Sequence, residues 1–282
     1  MRKYILLLFL SAAAAVVVYN FIPVDDDLDI GLLRVGVECG HAPYNWEESS
    51  KSETNFPLVN NPGFYAEGYD VQMAALIAER LGGNVEFRKV RWENLINALL
   101  RREIDVIFSG MVDTEDRKKV ISFSEPYEVR KTEYAVVVNS KSKYANAMSI
   151  KELMGARMIA QAASRFDEVI NQIPRVVHLP ARVTEAEIID ELLNMNADGT
   201  VVNYDTGLSL ASMYRELRVI RFSDQNGFEL GFTGLCAGVR KRDEKLLKKI
   251  DEAIRSISMR ERQKIMDKVN LQDWKRVENF SY

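Results

Sequence analysis

The stretch that most restricts the fold is residues 104–127, IDVIFSGMVDTEDRKKVISFSEPY. Residues 104–108 are a short, β-branched apolar run, the pattern of a strand buried on both faces and therefore of a sheet covered by helices. The run ends at Ser109-Gly110, where small residues let the backbone come close to a ligand. Asp113 and Thr114 then supply helix-capping side chains, and Arg117 falls in the first turn of the helix they open. A cation there opposes the partial positive charge of the helix N-terminus unless it has an anion to hold. Hydroxyl, free N–H groups and a guanidinium fork converge at the carboxyl end of one strand, a group suited to a carboxylate. A solvated turn with a surface arginine fits the same residues.

The chain has 282 residues, enough for two lobes with separate cores or one large domain. Its net charge of -3 and pI near 5.7 carry no basic stripe, which excludes nucleic acid as the expected partner. The N-terminus places Arg2 and Lys3 before an apolar run over residues 4–19. Residues 1–24 thus read as a secretory signal peptide, with an uncleaved N-terminal anchor as the alternative; no cysteine closes the run, against a lipoprotein anchor. Either way the body is exported. Cys39 and Cys236 are the only cysteines, too few for a disulfide scaffold; a bridge and two buried thiols both remain open. His41 and His178 are the only histidines, and no metal-spaced cluster appears, so neither a metal nor a cofactor is expected.

The rest of the chain alternates strand-like and helix-like segments, which implies α/β layers with mostly parallel sheets. A strand over residues 33–38 ends in a loop at Glu38 and His41, where open α/β sheets place ligands. Residues 47–67 read as a polar surface insertion. Asp70 reads as the N-cap of the following helix. Trp92 stands before an amphipathic helix, either packing in the core or offering its face to a ligand. Residues 149–155 read as a short helix with a capping box from Ser149 to Glu152. Ser164 is a helix N-cap whose hydroxyl and neighbouring N–H groups can face a cleft, and Thr184 with Glu187 forms another capping box. A strand beginning at Thr200 ends near Asn203 and Asp205.

Asp105, Ser109-Gly110, Thr114, Arg117 and Phe123-Ser124-Glu125-Pro126-Tyr127, in that order, resemble the signature of the family-3 periplasmic solute-binding proteins of amino-acid ABC transporters. The resemblance runs over residues 33–269. It implies an α/β fold of the type 2 periplasmic-binding kind: a two-lobed clamp with two hinge crossings, lobe one formed by residues 33–139 plus 224–282 and lobe two by 140–223. It also implies an exported protein, periplasmic or at the cell surface, that works as a monomer. Such a protein captures a free amino acid and delivers it to a membrane permease, without catalysis. The implied carboxylate clamp is Arg117 with Ser109, Gly110 and Met111, joined from the other lobe by Ser164, although alanines stand between Gln161 and Ser164 where the family has glycine and threonine. Asp205 is implied as the partner of the α-ammonium, with Asn203 in that role if the register shifts. Glu38, His41 and Trp92 would form the side-chain pocket, which leans towards a cationic or polar amino acid; His41 departs from the family's aromatic, and Val112 replaces a hydroxyl. The alternatives are a cleft enzyme resembling the cyclohexadienyl dehydratases, with Glu38 recruited for catalysis, and a membrane-anchored amino-acid sensor.

Overall fold

Two five-stranded sheets with matching strand order organise the protein, one per lobe. The structure, a computed structural model, describes residues 31–128, 133–229 and 234–279, with residues 274–279 by backbone alone. The leader or anchor expected over residues 1–24 lies outside the described residues, as does the Trp274 side chain.

In lobe one, Leu32–Val37 runs parallel to Asn84–Lys89 on one side and to Val106–Ile107 on the other. Cys236–Arg240 runs antiparallel to both of its neighbours, Val106–Ile107 and Ile121–Pro126. Side-chain alternation sends Val106 and Phe108 into a core with the helices Tyr69–Arg80 and Glu244–Ser256, and Ile107 into a second core with the helix Leu95–Leu100. Both faces are covered, as the apolar run predicts.

Lobe two repeats the plan in the order Val177–His178, Arg157–Ile159, Gly199–Asn203, Tyr134–Asn139 and Leu217–Arg221. Here Tyr134–Asn139 is the inverted strand, antiparallel to both neighbours. Each inverted strand is the first that the chain lays down after passing between lobes, so it enters its sheet from the opposite end. Against an expected boundary at residues 139/140, Tyr134–Asn139 pairs within the lobe-two sheet, with Gly199–Asn203 and Leu217–Arg221. The second crossing is later than expected. Ile150 N–H donates to Asn226 O at 3.0 Å, and Gln172 exchanges two hydrogen bonds with the Glu229 backbone, so lobe two holds the chain as far as Glu229. A buried run of β-branched residues announces a strand, but only its distant partners decide which sheet receives it.

Residues 47–67 are less of a surface insertion than their turn residues imply. Asn45–Glu48, Tyr65–Glu67 and Phe56–Pro57 pair, with Gly40–His41, into a small antiparallel sheet, and Trp46, Leu58 and Ala66 are buried in the lobe-one core. Asp70 is not an N-cap. The helix begins at Tyr69 after Gly68, and the fully buried Asp70 carboxylate accepts from Asn45 Nδ2 at 2.8 Å, Tyr127 OH at 2.7 Å and Gly110 N–H. The predicted caps at Thr114, Ser164 and Thr184 all form, the last as a complete capping box. Ser149 makes no side-chain cap, and the turn after it is the 3-10 helix Ile150–Leu153. Cys39 and Cys236 are both buried free thiols.

Candidate functional site

Both lobes turn the carboxyl ends of their parallel strands towards one cleft, the usual ligand position in open α/β sheets. After Leu32–Val37 come Glu38 and His41; after Val106–Ile107 come Ser109, Gly110 and Val112; after Arg157–Ile159 come Gln161 and Ser164; and Gly199–Asn203 ends in Asn203 itself. Of the residues expected at the site, Glu38, His41, Trp92, Ser109, Gly110, Arg117 and Ser164 line this cleft together. Met111 and Asp205 do not. Met111 is buried with Leu95, Ile104 and Ile107, and its carbonyl accepts from Cys236 N–H at 2.8 Å. The strand ends at Asn203, so Asp205 falls in the first turn of the helix Tyr204–Met213, where Tyr44 OH donates to its carboxylate at 3.4 Å.

The helix Glu115–Val120 holds Arg117 as the sequence implies, with Thr114 Oγ1 accepting from Arg117 N–H at 3.4 Å. The guanidinium is partly buried and donates to two carbonyl oxygens, Val112 O at 3.0 Å and, across the cleft, Ala163 O at 3.1 Å. Among the described residues no carboxylate forms a salt bridge with it. Burial pulls its pKa down, the sign of a cation short of an anionic partner. Trp92 offers its face to Arg117, whose Cζ lies 5.1 Å from the ring centroid, and its Nε1 donates to the same Ala163 O at 3.1 Å. Ala163 reaches this position with φ +59°, a left-handed conformation that costs an L-residue about 1–2 kcal/mol. Strain of this kind is characteristic of ligand clamps. Gly110, at φ +63°, occupies the same region without that cost.

Further contacts tie lobe to lobe. Gln161 Nε2 donates to Glu38 Oε1, His41 Nδ1 lies 3.3 Å from Glu185 Oε2, and His41 Nε2 lies 3.1 Å from Thr206 Oγ1. They leave a cavity of about 30 Å³ in the cleft, roughly the space of one water. An amino acid seats there only by taking over bonds that the lobes make to each other.

Burial pushes the Glu38 carboxyl up to about 7, although His41 and Gln161 oppose the shift. Burial lowers the His41 pKa, but the Glu185 carboxylate, with Glu38 and Asp70 behind it, outweighs that and leaves it raised. Glu38 has a raised folded-state pKa, so its contribution to stability is fully present below its ordinary value of 4.5 and is lost as the pH climbs through about 7. The His41 contribution is lost with rising pH in the same way. The melting temperature is expected to fall between pH 5 and pH 8, and Glu38→Gln to flatten that slope; thermal unfolding across this range checks it.

Sequence reasoning missed Tyr134, Arg165 and Phe166, which also line the cleft. Phe166 packs 6.0 Å from the His41 ring and 5.3 Å from the Tyr134 ring. The available signal was position, since Arg165 and Phe166 open the helix that Ser164 caps. Asp70 was missed as a support: through Gly110 N–H it fixes one cleft loop, and through Asn45, whose Oδ1 accepts from Cys39 N–H at 2.9 Å, it fixes the other. Among the described residues, no group of three or more His, Cys, Asp or Glu side chains is placed to hold a metal, and no helix is long and apolar enough to cross a membrane.

Two α/β lobes joined by two crossings, with an arginine and a capped helix meeting in the cleft, define a ligand-binding clamp. The profile of the bacterial extracellular solute-binding proteins, family 3, matches residues 33–271, and the chain belongs to that family. It is 32% identical over 112 residues to the arginine-binding extracellular protein ArtP of Bacillus subtilis; the match takes in 40% of this chain and 42% of that relative, so it spans less than half of the relative's length. The L-cystine-binding protein TcyJ of Escherichia coli is 21% identical over 224 residues, 79% of this chain and 76% of its own. Among solved structures, the arginine-bound form of truncated ArgBP from T. maritima is similar with a TM-score of 0.64 at 26% identity, covering 81% of this chain and 97% of that truncated one. AbpA of Streptococcus pneumoniae, solved with L-arginine, shares the fold with a TM-score of 0.73 at 18% identity, covering 86% of this chain and 96% of that one.

Proposed function

We propose that this protein is the extracytoplasmic binding component of an amino-acid ABC transporter. It captures one free amino acid, polar or cationic, between its lobes and delivers it as a monomer to a permease in the membrane, without chemistry on the ligand. The observation that carries this reading is Arg117, a guanidinium in the cleft that, among the described residues, donates to carbonyl oxygens and to no carboxylate. It would take the α-carboxylate together with Ser109, the backbone around Gly110, and Ser164 from the other lobe. The arginine-binding and cystine-binding relatives support an amino-acid ligand. Residues 1–24 would serve as a signal peptide or as an anchor at the membrane surface.

For the α-ammonium, the side-chain oxygen of Asn203 replaces Asp205 as the proposed acceptor, since Asn203 lines the cleft. Asn203→Ala is expected to cost about 1.5–3 kcal/mol, a loss of roughly ten- to hundredfold in affinity, while Asp205→Ala leaves the affinity within about threefold; calorimetric titration of both variants checks this.

The test of the function is a thermal-shift screen against the twenty amino acids, ornithine, citrulline and prephenate. A ligand at a hundred times its dissociation constant adds about 2.7 kcal/mol of stability, so a true ligand raises the melting temperature clearly. No shift with any amino acid would overturn the reading. One observation favours a second reading: Glu38, with its pKa near 7 beside His41, is suited to proton transfer. Turnover of prephenate would establish it.

A further inference from the structure

Beyond Glu38 the closed lobes leave a second cavity of about 360 Å³, and the Glu38 side chain lines both it and the ligand cleft. The contrast with the cleft's 30 Å³ is informative: closure brings the lobes together around the head-group site but not around this space. A cavity of about 150 Å³ already accommodates benzene. One wall is lobe one, with Gly40 and Glu47; the other is lobe two, with Glu185 and Met213. Glu47 is neutralised by Lys89 at 2.8 Å, the lining Arg91 is paired with Glu93 at 3.2 Å, and Glu185 faces His41, so the acidic group without a cationic side chain bonded to it is Glu38, at the inner end. The outer part is suited to an uncharged group.

We infer that the second cavity is a side-chain subsite, and that it takes a basic amino acid whose side-chain nitrogen carries a further apolar substituent. This rests on the proposed function and deepens it. The cationic nitrogen sits at Glu38, where the two cavities meet, and the substituent extends towards Met213. Unsubstituted basic amino acids bind with the subsite left to solvent.

Titration calorimetry with L-lysine and Nε-benzyl-L-lysine, whose nitrogen stays cationic, tests the assignment. Benzyl-lysine is expected to bind at least as tightly as lysine. Met213→Trp, which fills the cavity from lobe two, should weaken benzyl-lysine at least tenfold and leave lysine within threefold. Gly40→Phe should do the same from lobe one; the nearest atoms to a Cβ there belong to the Glu38 side chain, at 3.8 Å or more. If lysine or another free amino acid binds and benzyl-lysine does not, the subsite is overturned. It is equally overturned if the variants affect both ligands alike. A protein that binds no free amino acid overturns the proposed function itself, and the subsite with it.

Discussion

Arg117→Ala is expected to weaken amino-acid binding by thirtyfold or more. The α-carboxylate in the closed cleft would lose its only proposed cationic partner on the lobe-one side, and truncating one member of such a desolvated, hydrogen-bonded charge pair costs about 2–5 kcal/mol. Folding should suffer little, because among the described residues the guanidinium donates only to Val112 O and Ala163 O. Arg117→Lys restores the charge but not the planar fork and should recover only part of the affinity. Calorimetric titration of the two variants, with unfolding curves recorded alongside, separates lost binding from lost structure. Full affinity in Arg117→Ala would remove the carboxylate clamp from the account.

The second large effect is at Asp70, and it falls on stability. This side chain is fully buried and accepts three hydrogen bonds, from Asn45, Tyr127 and Gly110. Asp70→Ala strands those donors, and each unsatisfied buried group costs about 1–3 kcal/mol; a total loss of about 3–5 kcal/mol is expected, a drop of roughly 10 °C in melting temperature for a protein of this size. Burial raises the Asp70 pKa to about 6. Its contribution is therefore complete below the ordinary value of 3.8 and declines as the pH rises through about 6. Asp70→Ala should accordingly show a shallower fall in stability between pH 5 and pH 7 than the wild-type protein. Ligand binding should weaken as well, since the same carboxylate positions the loops at Gly110 and Cys39. A melting temperature within 2 °C of the wild type would contradict this account.

Much of lobe one was legible in residues 104–127. The run of apolar residues, the cap at Thr114 and the unfavourable placement of Arg117 are local signals, and local physics places them. The caps at Ser164 and Thr184 were legible for the same reason. What the sequence did not disclose depends on distant partners. Tyr134–Asn139 reads identically as a strand of either lobe until its pairing with Gly199–Asn203 is known. Asp70 has the residue type and position of an N-cap, and only the arrival of Asn45 and Tyr127 makes it a buried support. Asp205 and Asn203 are separated by the point where strand becomes helix, and a boundary error of one or two residues exchanges their places relative to the cleft. The pairing of residues 45–67 into a sheet was hidden by their proline, asparagine and glycine content, which marks the turns but not the short strands between them.

The most direct test of the central claim is a crystal structure grown with the amino acid that gives the largest thermal shift. The account predicts the ligand between the lobes, its α-carboxylate oxygens within about 3 Å of the Arg117 guanidinium, with the Arg117–Ala163 and Gln161–Glu38 contacts loosened or replaced by contacts to the ligand. An amino acid bound away from this cleft, or one in the cleft with its carboxylate turned from Arg117, would contradict it.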